Sequence, residues 1–145
     1  MGNSEPNCKS ASTARIRRRH TGPEIATRKL LHKLGFRFRL HVTSLPGTPD
    51  IVLPKYRAII FVNGCFWHGH DCHKGSLPAT RRDFWARKIA ANRARDQRND
   101  AQLVELGWLV VTVWECALSG KASCRVQVWR TVYQGFGSMD NQGLF

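Results

Sequence analysis

The sequence predicts an α/β domain with a mixed central sheet flanked by helices. Helix-type and strand-type periodicities alternate along the chain, a long helical stretch separates two apolar strands, and 145 residues suit one domain. We expect residues 1–21 to form a flexible basic arm, 22–134 to form the single domain, and 135–145 to form a loose tail.

The first half of the predicted domain contains one helix and three strands. The helix covers residues 22–34, with Pro23 in its first turn, where proline is well tolerated. Residues 36–42 alternate apolar and basic side chains, which is typical of a half-buried strand. A turn leads to a short strand at 51–53, and the apolar run within 57–62 predicts a strand covered on both faces.

The second half is predicted to contain a long helix and the strongest strand. Thr80 is the expected N-cap of the helix, and Gly107 is its expected stop. Its buried side is expected to comprise Phe84, Ile89, Leu103 and Leu106. Residues 108–114 form the strand, and residues 126–133 form an amphipathic helical piece.

The charge of the chain indicates an anionic partner. Lys and Arg total 23 against 10 Asp and Glu, a net charge of +13. Nucleic acid is the expected partner because its phosphates release counterions on binding, with an anionic membrane surface as the alternative. The sequence has neither the ~18-residue apolar run of a membrane span nor the apolar core of a secretory signal.

The cysteines indicate a reducing compartment. Five cysteines are spread widely along the chain, which favours free thiols or a metal site over a disulfide framework. We therefore expect a cytoplasmic, nucleoid-associated protein.

A nine-residue segment, 65–73, contains two cysteines and three histidines. They are Cys65, His68, His70, Cys72 and His73. Zinc takes four such ligands in a tetrahedron, so one ligand is expected from elsewhere, and Cys116 is the natural candidate. The spacing does not choose among the three histidines, and buried thiols with surface histidines are the alternative.

A carboxylate stands at the mouth of a predicted strand. Asp50 follows Pro49 there, so it can reach a divalent metal together with a carbonyl of the adjacent strand, as in PD-(D/E)xK nucleases. The segment 61–63 lacks the second carboxylate and the lysine of that pattern, and Pro-Asp also begins ordinary turns.

Aromatic and basic side chains suggest a DNA-binding surface. Phe66 and Trp67 are adjacent in a polar loop, and an exposed pair would stack on or wedge between bases, whereas packing into the core is the alternative. Between Arg81 and Arg98 the long helix carries seven basic residues against two acidic ones, Asp83 and Asp96, which favours a phosphate-facing side over a merely solvated one. The basic residues are Arg81, Arg82, Arg87, Lys88, Arg93, Arg95 and Arg98.

Four segments together resemble the very-short-patch-repair DNA mismatch endonuclease family. They are residues 45–52, 60–72, 78–85 and 106–118, and the resemblance extends over about residues 13–118. It implies a restriction-endonuclease-like PD-(D/E)xK core, a catalytic Mg²⁺ and a structural Zn²⁺. It also implies a strand-specific nick 5′ to the thymine of a T·G mismatch that arises from 5-methylcytosine deamination.

The resemblance also implies roles for individual catalytic residues. Asp50 and the backbone carbonyl of Val62 would bind Mg²⁺, His68 would be the general base or position water, and Glu24 would touch the metal's water shell. Asn63 stands where the family usually has a histidine, and an amide can form hydrogen bonds but cannot titrate.

Further residues are expected to bind zinc and DNA. The zinc ligands implied by the resemblance are Cys65, His70, Cys72 and Cys116. The implied intercalating pair is Phe66 and Trp67, and Thr13 replaces a methionine that would wedge from the opposite groove. Contacts to the DNA backbone are expected from Arg17, Arg18, Arg19, Arg81, Arg82 and Arg95.

The predicted function is that of a monomeric, Mg²⁺-dependent, zinc-stabilised endonuclease on double-stranded DNA with a T·G mismatch. Repair proteins are candidate partners, and no membrane partner is expected. Two alternatives remain: a nuclease of the same fold with a restriction or defence target, and a catalytically impaired zinc protein that binds mismatched DNA.

Overall fold

The computed structural model describes residues 19–119, which form a mixed four-stranded sheet with helices packed on it. The elements in chain order are α1 (Gly22–Lys33), β1 (Arg39–Leu40), β2 (Ile51–Leu53), β3 (Ala58–Asn63), α2 (Arg82–Glu105), β4 (Leu109–Trp114) and α3 (Glu115–Ser119). This confirms the predicted α/β class. The expected basic arm up to residue 18, the helical piece at 126–133 and the tail lie outside the described residues.

The strand order places the end of β3 beside the end of β4. The sheet runs β1-β2-β3-β4, with antiparallel pairing between the first three strands and parallel pairing between the last two. In the parallel pair Ala58 lies opposite Leu109 and Asn63 lies opposite Trp114. Because parallel strands end at the same edge, the residues that follow β3 and β4 meet there, at 64–75 and at 115–119.

Buried side chains alternate between the two faces of the sheet. One core cluster contains Leu31 of α1 and Leu118 of α3, together with Ile51, Leu53, Ala58, Ile60, Val111 and Val113. The other contains Leu103 of α2, together with Val52 and Ile59. The period of two in β2 and β3 therefore buries both faces, as predicted for 57–62.

The ends of α1 follow the predicted helix chemistry. Thr21 is the N-cap, and its side-chain oxygen accepts a hydrogen bond from the backbone N–H of Glu24 at 3.4 Å. Pro23 lies in the first turn. Gly35 follows the helix with φ +83°, a conformation that glycine adopts without steric cost.

Two predicted element boundaries were wrong. The expected strand at 36–42 is reduced to Arg39–Leu40, because His41 adopts a left-handed φ of 46° that ends the ladder. The N-cap of α2 is Arg81 rather than Thr80, in a left-handed conformation with φ 54° and with no side-chain capping bond.

The buried side of α2 is shorter than predicted. Ile89 and Leu103 are buried, as expected, but Phe84 is 38% exposed and Leu106 is 53% exposed. A helix of 24 residues is roughly 36 Å long, whereas the six-residue strands beside it span about 20 Å. Both ends of α2 therefore project past the sheet. No helix within residues 19–119 is both long and apolar enough to cross a membrane.

Candidate active site and metal centre

A groove of about 1040 Å³ lies where β3 and β4 end. It brings together residues that are far apart in the sequence. Those predicted from the sequence and found in its lining are Glu24, Asp50, Val62, Asn63, Trp67, His68 and Arg95. The groove is therefore the common location of the predicted carboxylates, imidazole and one of the predicted aromatic rings.

Asp50 is held in the groove by a backbone hydrogen bond. The N–H of Val62 donates to Asp50 Oδ2 at 2.8 Å, which fixes the carboxylate against β3. Burial raises the pKa of Asp50 to about 6, although the Val62 hydrogen bond acts in the opposite direction. The carboxylate is thus oriented but only partly compensated, as expected of a group that binds a cation.

Glu24 lies beside Asp50 and is almost completely buried. It is 2% exposed and accepts hydrogen bonds from Arg28 Nη2 and from the His20 backbone N–H, both at 2.9 Å. Ligand atoms of Glu24, His41 and Asp50 lie within 4.8 Å of one another. Two carboxylates this close offer the oxygen donors that Mg²⁺ requires, so the residues fit such an ion.

His68 is paired with an acidic residue of α2. Its Nδ1 lies 2.5 Å from Oδ2 of Asp96, and both side chains are partly buried. A carboxylate only accepts hydrogen bonds, so Nδ1 is the donor in this contact, and the neutral tautomer that the contact selects has Nε2 as its acceptor. This arrangement makes His68 able to accept a proton from a water molecule.

The four implied zinc ligands converge at one point. Ligand atoms of Cys65, His70, Cys72 and Cys116 lie within 4.8 Å of one another. Cys116 Sγ is 3.5 Å from His70 Nδ1, and the Cys116 backbone N–H donates to Cys65 Sγ at 3.4 Å. Three thiols and one imidazole form a donor set typical of a structural zinc site.

The environments of the two loop thiols differ. Burial raises the pKa of Cys65 to about 12. For Cys72, desolvation is the largest single effect and acts to raise the pKa, but hydrogen bonds from the His70 side chain, the Gly75 backbone and other neighbours together outweigh it, so the pKa falls to about 7. A cation among these sulfurs would favour the thiolate form of both, since metal ligands bind deprotonated.

The loop between β3 and α2 is held close to the helix. Cys65 O accepts a hydrogen bond from the His70 N–H at 2.9 Å, and Asn92 donates to Trp67 O at 3.0 Å. Gly69 has φ +61°, and a Cβ on it would lie 2.6 Å from Ile89 Cγ2. A glycine is therefore required where the loop crosses α2.

The predicted aromatic pair belongs to a larger aromatic cluster. Phe66 and Trp67 are half-buried rather than exposed, because both pack edge-on against Trp85 at 5.3 and 5.9 Å. Phe84 continues the cluster, and the Lys88 ammonium lies 5.8 Å from the Trp67 ring centroid. The prediction of an exposed pair was wrong in degree, since α2 supports the rings from behind.

The predicted phosphate contacts lie on different elements. Arg95 lines the groove, and Arg81 and Arg82 are exposed at the start of α2. Arg19 is exposed at the first described position. Arg17, Arg18 and the Thr13 position lie outside the described residues.

Comparison with known proteins assigns the chain to a family. The family model described as DNA mismatch endonuclease Vsr matches residues 2–74. The DNA mismatch endonuclease Vsr of Escherichia coli (strain K12) is 41% identical over 143 residues, covering 94% of this chain and 92% of that protein. The chain belongs to the Vsr DNA mismatch endonuclease family.

Other relatives of this Vsr-family chain are named as nicking enzymes. The type II nicking enzyme V.XorIIP of Xanthomonas oryzae is 59% identical over 104 residues, 72% of this chain and 76% of its own. The type II nicking enzyme V.NmeAIP of Neisseria meningitidis is 45% identical over 118 residues, with coverages of 81% and 84%. Hydrolysis of DNA by an endonuclease is thus the chemistry of the family.

Two side chains at or beside the groove in this Vsr-family chain were not among the predicted site residues. His41 lies next to Glu24 and Asp50 but does not line the groove, and Asp96 lines it and contacts His68. Asp96 had a signal in the sequence, because it shares a helical stripe with Asn92 and Lys88, four and eight residues before it. His41 had none beyond its place in an alternating segment.

Proposed function

We propose that this protein is a divalent-cation-dependent endonuclease that nicks DNA 5′ to the thymine of a T·G mismatch, within very short patch repair. The observation that carries the proposal is the single groove that joins Asp50, Glu24 and the His68–Asp96 pair. Family membership supports the hydrolysis of DNA, and the net charge of +13 supports a phosphate-rich substrate.

The proposed catalytic cation is Mg²⁺, held by Asp50 and the backbone carbonyl of Val62, with Glu24 near its water shell. When bound there, it would neutralise charge on the scissile phosphate and lower the pKa of the attacking water. The Val62 N–H keeps the Asp50 carboxylate turned toward the groove. Asn63, which lines the same groove, would hydrogen-bond substrate or water without transferring a proton.

His68 is the proposed general base. Its Nε2 would accept a proton from the attacking water, and Asp96 would hold the tautomer and stabilise the imidazolium that forms. The short Nδ1–Oδ2 contact of 2.5 Å supports this assignment. In this proposal, the Asp96 carboxylate keeps the His68 ring in one orientation, and the ring takes the proton from water in that orientation.

Zinc is the proposed metal of the four-residue cluster. Cys65, His70, Cys72 and Cys116 would hold it, and its role would be structural, because the four ligands fill a tetrahedron. The ligands join the loop that carries His68 to the start of α3. Metal binding would therefore preorganise the groove.

The aromatic cluster is the proposed mismatch sensor. Phe66 and Trp67 would enter the base stack from a surface braced by Trp85. Unstacking costs less at a poorly paired T·G step than at a matched step, which gives a physical source of mismatch preference. Exposed Arg81, Arg82 and Arg19 would contact the DNA backbone, as would Arg17 and Arg18.

The test is a strand-resolved cleavage assay on one duplex that carries T·G and on a matched T·A control, with and without Mg²⁺. We expect one nick, 5′ to the mismatched thymine, only with Mg²⁺. Trp67→Ala should lower the T·G preference more than the affinity for matched duplex, since stacking is worth about 1–3 kcal/mol per base.

A second candidate function is nicking of a matched recognition sequence. The relatives at 59% and 45% identity are named type II nicking enzymes, and those names leave the target of the nick open. Equal cleavage of the T·A and T·G duplexes would support this function. Mismatch binding without any Mg²⁺-dependent cleavage would instead support an impaired binding protein.

A further inference from the structure

The candidate cation site contains an imidazole that the proposed mechanism does not use. His41 lies directly after β1, and its backbone N–H donates to the Asp50 carbonyl at 3.2 Å. Its left-handed backbone, with φ 46°, turns the chain at this point. The ring then lies between the Glu24 and Asp50 carboxylates.

The distances in this cluster suit donors that share one ion. His41 Nε2 is 3.4 Å from Glu24 Oε2, and His41 Nδ1 is 3.9 Å from Asp50 Oδ1. In an octahedral site with bonds of about 2.1 Å, neighbouring donors lie roughly 3 Å apart and opposite donors roughly 4.2 Å apart. Each distance falls in this range, and the second is too long for a hydrogen bond. The two distances involve different ring nitrogens, of which one binds a given ion, and one ligand atom from each of the three residues lies within 4.8 Å of the others.

A single cationic atom already bridges two of the three residues. Arg28 Nη2 donates to Glu24 Oε2 at 2.9 Å and lies 3.1 Å from His41 Nε2. Glu24 and His41 therefore face a common space that accommodates positive charge. Among residues 19–119, Arg28 Nε is buried without a hydrogen-bond partner, whereas Nη1 lies 2.8 Å from His20 Nδ1, so the guanidinium is held through its two terminal nitrogens alone.

We propose that His41 is a further protein ligand of the catalytic cation, beside Asp50 and the Val62 carbonyl, that Glu24 then binds the ion directly instead of through its water shell, and that Arg28 occupies part of this site until the ion binds. The inference rests on the proposed function, which places the cation at Asp50. A nitrogen donor among carboxylates favours first-row transition ions over Mg²⁺, which prefers oxygen ligands. We therefore expect the site to bind Mn²⁺ and its class more tightly than Mg²⁺, although Mg²⁺ remains the proposed catalytic cation.

The experiment measures Mn²⁺ binding to the zinc-loaded, full-length protein, with and without bound matched duplex. Pulsed electron paramagnetic resonance reads ¹⁴N coupling to Mn²⁺, and competition with Mg²⁺ gives the relative affinity. We expect a directly bound histidine nitrogen in the wild type. His41→Gln should lose this coupling and weaken Mn²⁺ binding by about tenfold or more, with a much smaller effect on Mg²⁺.

Two further variants complete the design. His32→Gln is the matched control, since His32 is exposed on α1 and packs against Phe38, outside the groove. It should leave both measurements unchanged. Arg28→Met removes the competing charge and should tighten Mn²⁺ binding several-fold. Circular dichroism checks that each variant is folded, and His41→Ala repeats the measurement if His41→Gln is not.

The inference is overturned if ¹⁴N coupling persists in the folded His41 variant, or if the wild type shows no such coupling or binds no Mn²⁺ in either state. Weaker binding in Arg28→Met would overturn the assigned place of Arg28. The variant Asp50→Asn distinguishes a failure of the His41 inference from a failure of the proposed function. If it abolishes nicking while His41→Gln keeps the Mn²⁺ preference, only this inference fails, whereas an Asp50→Asn protein that still nicks removes the proposed function as well.

Discussion

The pairing of His68 with Asp96 links the catalytic loop to α2. The contact joins Nδ1 to Oδ2 at 2.5 Å and leaves Nε2 toward the groove. A carboxylate partner holds the imidazole in the tautomer and orientation that can accept a proton. Carboxylates have this role beside the catalytic histidine of many hydrolases.

Replacing Asp96 by asparagine should therefore slow nicking while leaving DNA binding largely intact. The amide can donate to Nδ1 and favour the wrong tautomer, so we expect kcat to fall by about two to four orders of magnitude. Single-turnover nicking and a binding titration measure the two effects. Asp83→Asn, an exposed position on the same helix, is the control, and a wild-type rate in Asp96→Asn would contradict the role.

The buried position of Asp50 gives the enzyme a pH dependence. Its pKa in the fold is about 6, above its ordinary value of 3.8, because burial favours the protonated acid. The stability from this protonated form is complete below about pH 3.8 and is lost as the pH rises through about 6. Cation binding requires the ionised form, so affinity must fall in the opposite direction.

We expect the Mg²⁺ concentration for half-maximal nicking to rise as the pH falls below about 6. The increase should approach tenfold per pH unit, as for one proton that competes with the ion. Cation titrations of the nicking rate between pH 5 and pH 8 measure it. A half-saturating concentration that does not change across this range would show that Asp50 does not bind the cation.

Individual residues of the site differed in how far the sequence could predict them. Asp50 stands out because a proline and a strand flank it, and the segment 65–73 stands out because it concentrates two cysteines and three histidines, which are zinc-ligand residue types. His41 does not stand out, because its place beside Glu24 depends on a left-handed backbone at this one residue, which the alternating pattern of the segment does not signal. Such sites depend on tertiary contacts rather than on local pattern.

At the scale of elements, the loop 64–75 is held in place by cysteines near its two ends. Cys65 and Cys72 lie near the two ends of the segment that carries Phe66 to His70, and Cys116 joins them from α3. A metal at this point would close the loop onto the sheet edge. The loop itself contains little regular structure that could hold it in place.

Cys72→Ser should release the bound zinc and lower the melting temperature by several degrees, because structural zinc contributes directly to folding. Nicking should fall as well, since the same loop positions His68. Metal analysis and calorimetry of the purified protein measure the first two effects. Ser76→Ala, an exposed position just after the loop, is the control. Unchanged zinc content in Cys72→Ser would refute the four-ligand assignment.

The strands show where sequence patterns are enough to predict an element and where they are not. The strands at 51–53 and 109–114 were predicted closely, since each is an apolar run between turn residues. The strand at 36–42 was overestimated, because alternation persists in Phe36 and Phe38 although their side chains pack against the core outside the ladder. Periodicity reports burial, and only the partner strand decides pairing.

At the scale of the whole molecule, the net charge of +13 makes DNA affinity dependent on salt. The start of α2 supplies two exposed arginines, Arg81 and Arg82, on the same helix as the Asp96 and Arg95 side chains that line the groove. We therefore expect the basic side chains of this helix to contact the DNA backbone on either side of the scissile phosphate.

The double variant Arg81→Ala/Arg82→Ala should make the plot of log affinity against log salt shallower by roughly two units, about 0.9 for each phosphate that the variant no longer neutralises. The decrease in affinity should be similar for T·G and matched duplexes, because phosphate contacts carry no sequence information. Fluorescence anisotropy at several salt concentrations measures both. Lys55→Ala, at the opposite end of the sheet, should leave the slope unchanged. An unaltered slope in the double variant would contradict the assignment.

The central claim is that the Asp50 carboxylate holds the cation that drives hydrolysis at the sheet edge. Nicking and binding of a T·G duplex by Asp50→Asn test it most directly, since asparagine can still accept the Val62 hydrogen bond. We predict affinity for the duplex close to that of the wild type and a nicking rate lower by about three orders of magnitude or more. An Asp50→Asn protein that nicks at the wild-type rate would contradict the claim.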